Sequence, residues 1–135
     1  MNRIEKQTER IGSMDYTQKA KKLHESGCNC CQAVIMCCSE QFGIPEDKAY
    51  ALGAFFGGGM RCGEVCGAVS GALMGLGLMY GDENNRQCGK SKEFMKAFEA
   101  EFGSVLCREI LAKHQKKICP VLINFAAKYL EDELK

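Results

Sequence analysis

Tryptophan is absent from this sequence, and proline and histidine occur only twice each. Scarce proline leaves long stretches free to form uninterrupted helix. His24 and His114 stand alone near predicted helix ends and read as surface or capping residues rather than catalytic ones. Neither charge sign dominates: 18 basic and 17 acidic residues leave a net charge of +1. Such a balance implies no basic surface and argues against a nucleic-acid partner. No haem-attachment CxxCH, GxGxxG or P-loop occurs, and the triple glycine Gly57–Gly59 completes neither phosphate motif. Period-two alternation never persists, so strands are not expected. The N-terminal stretch MNRIEKQTERIGS lacks the apolar core of a secretory signal. The expected compartment is therefore the cytoplasm, where thiols stay reduced and a disulfide framework is not anticipated.

A membrane span is also wanting. The longest apolar run, Val65 to Met79, is broken only by Ser70 and covers about 15 residues, short of the roughly 20 that a bilayer requires. It is rich in glycine, which recurs at Gly63, Gly67, Gly71 and Gly75. Residues four apart share a helix face, so these would form a bare stripe that lets another helix approach closely. Interior glycine costs roughly 0.5–1 kcal/mol relative to alanine, so the repeat needs a packing reason. We read Gly63–Tyr80 as a buried central helix, in preference to a membrane helix.

What the chain does have is cysteine: ten in 135 residues. The composition, 46% hydrophobic and 26% charged, otherwise describes one globular domain with a real core. Residues 1–14 read as a polar lead-in and 15–135 as a single helical, cysteine-rich domain. The fold expected is an all-α compact bundle of about six or seven helices around the glycine-rich one.

Local signals set the boundaries. Asp15 caps a first helix that Gly27 ends, and Asn29 caps a second from Cys30 to Phe42, stopped by Gly43. Pro45 opens a third, with Ala51, Leu52, Phe55 and Phe56 on its apolar side. After a loop at 81–90, Ser91 leads a fifth helix whose Phe94, Ala97, Phe98 and Phe102 read as core. Ser104 caps the next helix, and Pro120 begins the last.

These boundaries put Cys30, Cys66, Cys107 and Cys119 at four helix N-termini. Unpaired N–H groups and a partial positive charge there favour an anion, and a thiolate is one. Four such thiols, if they converge, are the donor set of an iron–sulfur cluster or a zinc ion. Cys28, Cys31 and Cys62 are further candidate thiols: Cys28 and Cys31 form a CxxC, and Cys62 and Cys66 would share a helical face. Cys37 and Cys38 read as core, Cys88 as a free thiol in a polar loop. Arg61, beside Cys62, could stabilise a nearby thiolate, though a solvated loop charge is the simpler account.

The segments GCNCCQAV (Gly27–Val34), FGGGMRCGEVCGAVSGALMGLGLMYG (Phe56–Gly81), FGSVLCREIL (Phe102–Leu111) and the Cys119 segment resemble, in order, the redox-active proteins of the C_GCAxxG_C_C family. The most specific element is Cys66-Gly67-Ala68-Val69-Ser70-Gly71. The family's four cysteines correspond to Cys30, Cys66, Cys107 and Cys119; the other six depart from its usual pattern. The resemblance implies redox activity, with an electron-transfer or thiol partner. A similar pattern in split-Soret cytochromes, associated with an iron–sulfur site, implies a [2Fe–2S] cluster here. Three readings follow: a redox protein using a cluster or thiol–disulfide pairs, a zinc-binding helical module without catalysis, and a helical protein that oligomerises, as a homodimer for instance, through its glycine stripe.

Overall fold

The computed structural model describes residues 15–81 and 88–134 and omits the side chain of Cys88; the 1–14 lead-in lies outside the described residues. The described chain forms seven α-helices: α1 (Tyr16–Glu25), α2 (Cys30–Cys38), α3 (Glu46–Gly53), α4 (Gly67–Tyr80), α5 (Cys88–Phe102), α6 (Cys107–His114) and α7 (Cys119–Glu133). Among the described residues there is no strand, only one isolated antiparallel bridge between Val65 and Leu106. The architecture is the expected all-α bundle, and no helix in it is long and apolar enough to cross a membrane.

Helix α4 lies at the centre, packed on α2 and α7, with α1 closing over both of those. Its glycines explain the closeness. A Cβ at Gly71 would stand 2.8 Å from Val34 Cβ and 2.9 Å from the Cys31 carbonyl; one at Gly75 would stand 2.8 Å from Leu130 Cδ1. The stripe is thus used inside the molecule, against α2 and α7, which removes it as an oligomerisation surface. Gly63 is not part of it, because α4 starts at Gly67. The aromatic positions of α5 are core as expected: Phe94 and Phe98 are fully buried, and edge-on contacts join Phe94 to Tyr129 at 5.0 Å and Phe102 to Phe125 at 5.3 Å.

Caps written in local chemistry appear where expected. Asp15 accepts from the Gln18 N–H at 2.8 Å, and Gly43 stops its helix in the left-handed region at φ 82°. Other expectations are corrected. The second helix changes to a 3₁₀ turn at Ser39–Phe42, where it was expected to run on as one helix. Helix α5 begins at Cys88, not Ser91. The third helix buries Ala49 and Gly53, while Leu52 and Phe55 are 59% and 75% exposed.

Candidate functional site

Four helix starts meet at one end of the bundle. Cys30 is the first residue of α2, fixed by a reciprocal capping box: the Gln32 N–H donates to Asn29 Oδ1 at 2.8 Å and the Asn29 N–H to Gln32 Oε1 at 2.9 Å. The Asn29 amide also donates to the carbonyls of Gly53 and Ala54, tying the end of α3 to the start of α2. Cys66 is the cap residue of α4 rather than a first-turn residue. Cys107 and Cys119 are the first residues of α6 and α7. The caps expected at Ser104 and Cys119 are instead Leu106 and Ile118. The Ser104 hydroxyl accepts from the Leu106 N–H at 3.0 Å and donates to Glu109.

Backbone contacts hold these starts together. Around the Val65–Leu106 bridge, the Cys66 N–H donates to the Val105 carbonyl at 2.8 Å and the Cys107 N–H to the Glu64 carbonyl at 2.7 Å. A Cβ at Gly67 would lie 3.0 Å from the Cys31 nitrogen and 3.2 Å from Cys30 Cβ, so glycine is what lets α4 reach the start of α2.

Between α3 and the bridge the chain makes a strap. Gly58, Gly59, Met60 and Arg61 all lie in the left-handed region, with φ between 61° and 66°. Such backbone costs an L-residue roughly 1–2 kcal/mol, so Met60 and Arg61 are held there by their surroundings. The strap lies against the site: a Cβ on Gly59 would come within 2.7 Å of Cys107 Cβ, and the Gly58 N–H points to the Cys30 sulfur. The Glu64 N–H closes the strap onto the Gly59 carbonyl at 2.8 Å.

The electrostatics are asymmetric. Cys30 is lowered to about 6, chiefly by hydrogen bonding from the Cys119 thiol, with help from the Gly58 and Cys30 N–H groups against the cost of burial. Cys119 is correspondingly raised, first by its bond to Cys30 and then by burial. Burial pushes Cys66 up to about 12 despite the Ala68 and Val69 N–H groups, and nearby Cys30 and Cys107 add to the rise. Cys107 is raised by burial and then by Cys30. A helix N-terminus was expected to acidify all four. Only Cys30 is lowered, and chiefly by the Cys119 thiol; at the others burial outweighs the N–H groups, and neighbouring thiols oppose one another's ionisation.

The remaining candidates divide differently. Cys28 and Cys31 are buried, with thiols directed at Met36 Sδ (4.0 Å) and Met74 Sδ (3.9 Å). Burial pushes Cys31 up to about 12. Cys62 is exposed on the strap, its thiol toward the Gly59 carbonyl at 3.6 Å; α4 has not yet begun there, so it shares no helical face with Cys66. Cys37 and Cys38 are core, bonded back to the Val34 and Ile35 carbonyls. Among the described residues, no three His, Cys, Asp or Glu side chains are drawn together around one point where a single ion would sit.

Residues 28–133 match the model of the family described as "Putative redox-active protein (C_GCAxxG_C_C)". The chain belongs to this family. No curated protein and no solved structure matches it. The C_GCAxxG_C_C match spans all four helix-start cysteines and the strap. Sequence reasoning missed the strap's part in that assembly. The triple glycine was its visible signal, but Met60 and Arg61 gave no hint of a left-handed turn.

Proposed function

We propose that Cys30, Cys66, Cys107 and Cys119 form one redox centre that holds a [2Fe–2S] cluster and serves electron transfer in the reducing cytoplasm. The observation that carries this reading is the gathering of four thiols, each from a different helix N-terminus, within electrostatic reach of one another. Four cysteine sulfurs are the donor set such clusters take, and a bound cluster supplies reversible one-electron transfer. Cys30 is already inclined to the thiolate; the other three would release protons on binding. The chain's own contribution is to offset the added negative charge. The four helix starts direct partial positive charge at the sulfurs, and the Gly58, Ala68 and Val69 N–H groups bond to Cys30 and Cys66. The sulfurs stand as one close pair, Cys30 with Cys119, plus two more at longer range.

The test is anaerobic purification with an absorption spectrum and with iron, acid-labile sulfide and zinc analysis. Brown protein with iron and sulfide in equal amounts, lost in Cys66→Ser and Cys107→Ser, is expected. Stoichiometric zinc without colour would mark the zinc module instead.

The Cys30–Cys119 pair favours a second reading, thiol–disulfide exchange. The Cys30 thiolate would attack a partner disulfide, releasing one partner thiolate and leaving a mixed disulfide. Cys119, losing its proton, would then attack Cys30 Sγ and release the second partner thiol, so the partner gains the two electrons that the pair loses. Metal-free protein that forms a reversible Cys30–Cys119 disulfide would support this reading over the cluster.

A further inference from the structure

The chain's nearly equal count of basic and acidic residues hides a local imbalance. The segments that deliver the site cysteines, 26–31, 58–66, 104–109 and 115–121, carry four cations, Arg61, Arg108, Lys116 and Lys117, against two carboxylates, Glu64 and Glu109. Glu64 is already paired with Arg108 at 3.0 Å, and Glu109 accepts from the Ser104 hydroxyl. Arg61, Lys116 and Lys117 are exposed and make no ion pair among the described residues. The N-termini of α2, α4, α6 and α7 bring their partial positive charge to this one cluster of cysteines. Acidic groups gather elsewhere, for instance Glu131, Asp132 and Glu133 at the far end of α7.

The same end carries three of the six large apolar side chains that the described residues leave exposed. Phe55 is 75% exposed, Leu52 59% and Met60 44%. All three belong to the α3 end and strap beside Cys30: the Gly53 and Ala54 carbonyls accept from the neighbouring Asn29 amide, and the Gly58 N–H points to the Cys30 sulfur. Much of their apolar surface is left in water, where it contributes little to the core. An apolar centre with a charged rim is the anatomy of a protein–protein contact, and charge of one sign steers encounter with the opposite sign.

We propose that this end is a docking face for an acidic redox protein, one whose own cofactor lies beneath an apolar spot ringed by carboxylates. Phe55, Leu52 and Met60 form the contact centre, and Arg61, Lys116 and Lys117 the steering rim. The proposal rests on the redox reading for its purpose, but its test separates the two.

Binding is measured by fluorescence anisotropy with a dye-labelled acidic flavodoxin, and with a basic c-type cytochrome as counter-probe. Electron exchange is followed separately by stopped flow. The flavodoxin binds at about 0.01 M salt and weakens steeply towards about 0.15 M, as the screening length contracts. Lys116→Glu/Lys117→Glu weakens it about tenfold or more, and Phe55→Ser weakens it without changing the salt slope. All variants retain wild-type helical circular dichroism. Equal or tighter binding of the cytochrome, or indifference to both sets of variants, overturns the docking face. Tighter binding of a single-stranded oligonucleotide or of anionic vesicles, abolished by the same lysine changes, overturns it in favour of a polyanion site. Flavodoxin binding without electron exchange, with small-molecule couples also inert, sinks the redox reading and leaves the docking face standing.

Discussion

Cys30 and Cys31 share the first turn of α2, yet one is held near 6 and the other is pushed up to about 12. Cys30 faces the meeting of helix starts, where a thiol from α7 and N–H groups from the strap surround its sulfur. Cys31 turns inward to Met74, where no donor offsets the loss of water. The same contrast divides the larger regions. Where the helix starts meet, Cys30, Cys107 and Cys119 are partly exposed, beside strained backbone and charge. In the core, Cys28, Cys37 and Cys38 fill space between helices as small apolar residues do. Cysteine count therefore says little about chemistry here; which polar groups surround each sulfur says nearly all of it.

The contrast is sharpened most by alkylation of the metal-free, reduced protein. At pH 7 thiolate abundance favours Cys30 over Cys31 by about five orders of magnitude, and the lower nucleophilicity of an acidic thiol returns roughly half of that on a logarithmic scale. Mass-mapped iodoacetamide labelling should thus mark Cys30 at least about a hundredfold faster, with burial widening the gap. Its rate should be near its plateau at pH 7 and fall by half near pH 6, the lowered value.

The core side is broken most directly at Gly71. Gly71→Val would drive methyl groups into Val34 and the Cys31 carbonyl, costing about 2–3 kcal/mol in a denaturant midpoint, as overpacking does. On the site side, Cys119→Ala removes the largest source of Cys30 acidity. The labelling half-point should climb from about 6 towards the ordinary cysteine value, and Cys119→Ser, whose hydroxyl still donates, should recover part of the shift. The smallest effect belongs to Gly77, in the same helix as Gly71 but with nothing within 4 Å of its would-be Cβ. Gly77→Ala should stabilise by about 0.5–1 kcal/mol, read in the same unfolding experiment.

How much of this could be read from the sequence follows the range of the forces involved. Asp15, Asn29 and Gly43 act on neighbours a few positions away, and all three helix boundaries they announce are present. The Phe94, Phe98 and Phe102 spacing announced a core face for the same reason. The starts of α4 and α6 are set by the Val65–Leu106 bridge, a contact between distant segments, so Gly63 and Ser104 misled. Leu52 and Phe55 were misread because apolar residues at helical spacing look alike whether they face a core or solvent. The strap was illegible because its left-handed turn is imposed on Met60 and Arg61 by the groups around them. That the four cysteines sit at helix starts was legible. The choice of Cys30 as the acidic one was not, since it depends on α7 folding back beside α2.

That return of α7 dictates an order of events as the chain is made. Cys30 emerges early and Cys119 only near the end, so a nascent chain displays its first thiols long before their partners exist. Loop closure over such a separation comes late, after local helices have formed. Until then Cys30 lacks the α7 thiol that does most to acidify it. The acidic sulfur is thus a product of completed folding. A chain truncated before Cys119 would still present every earlier cysteine but would lack the chief source of Cys30's acidity.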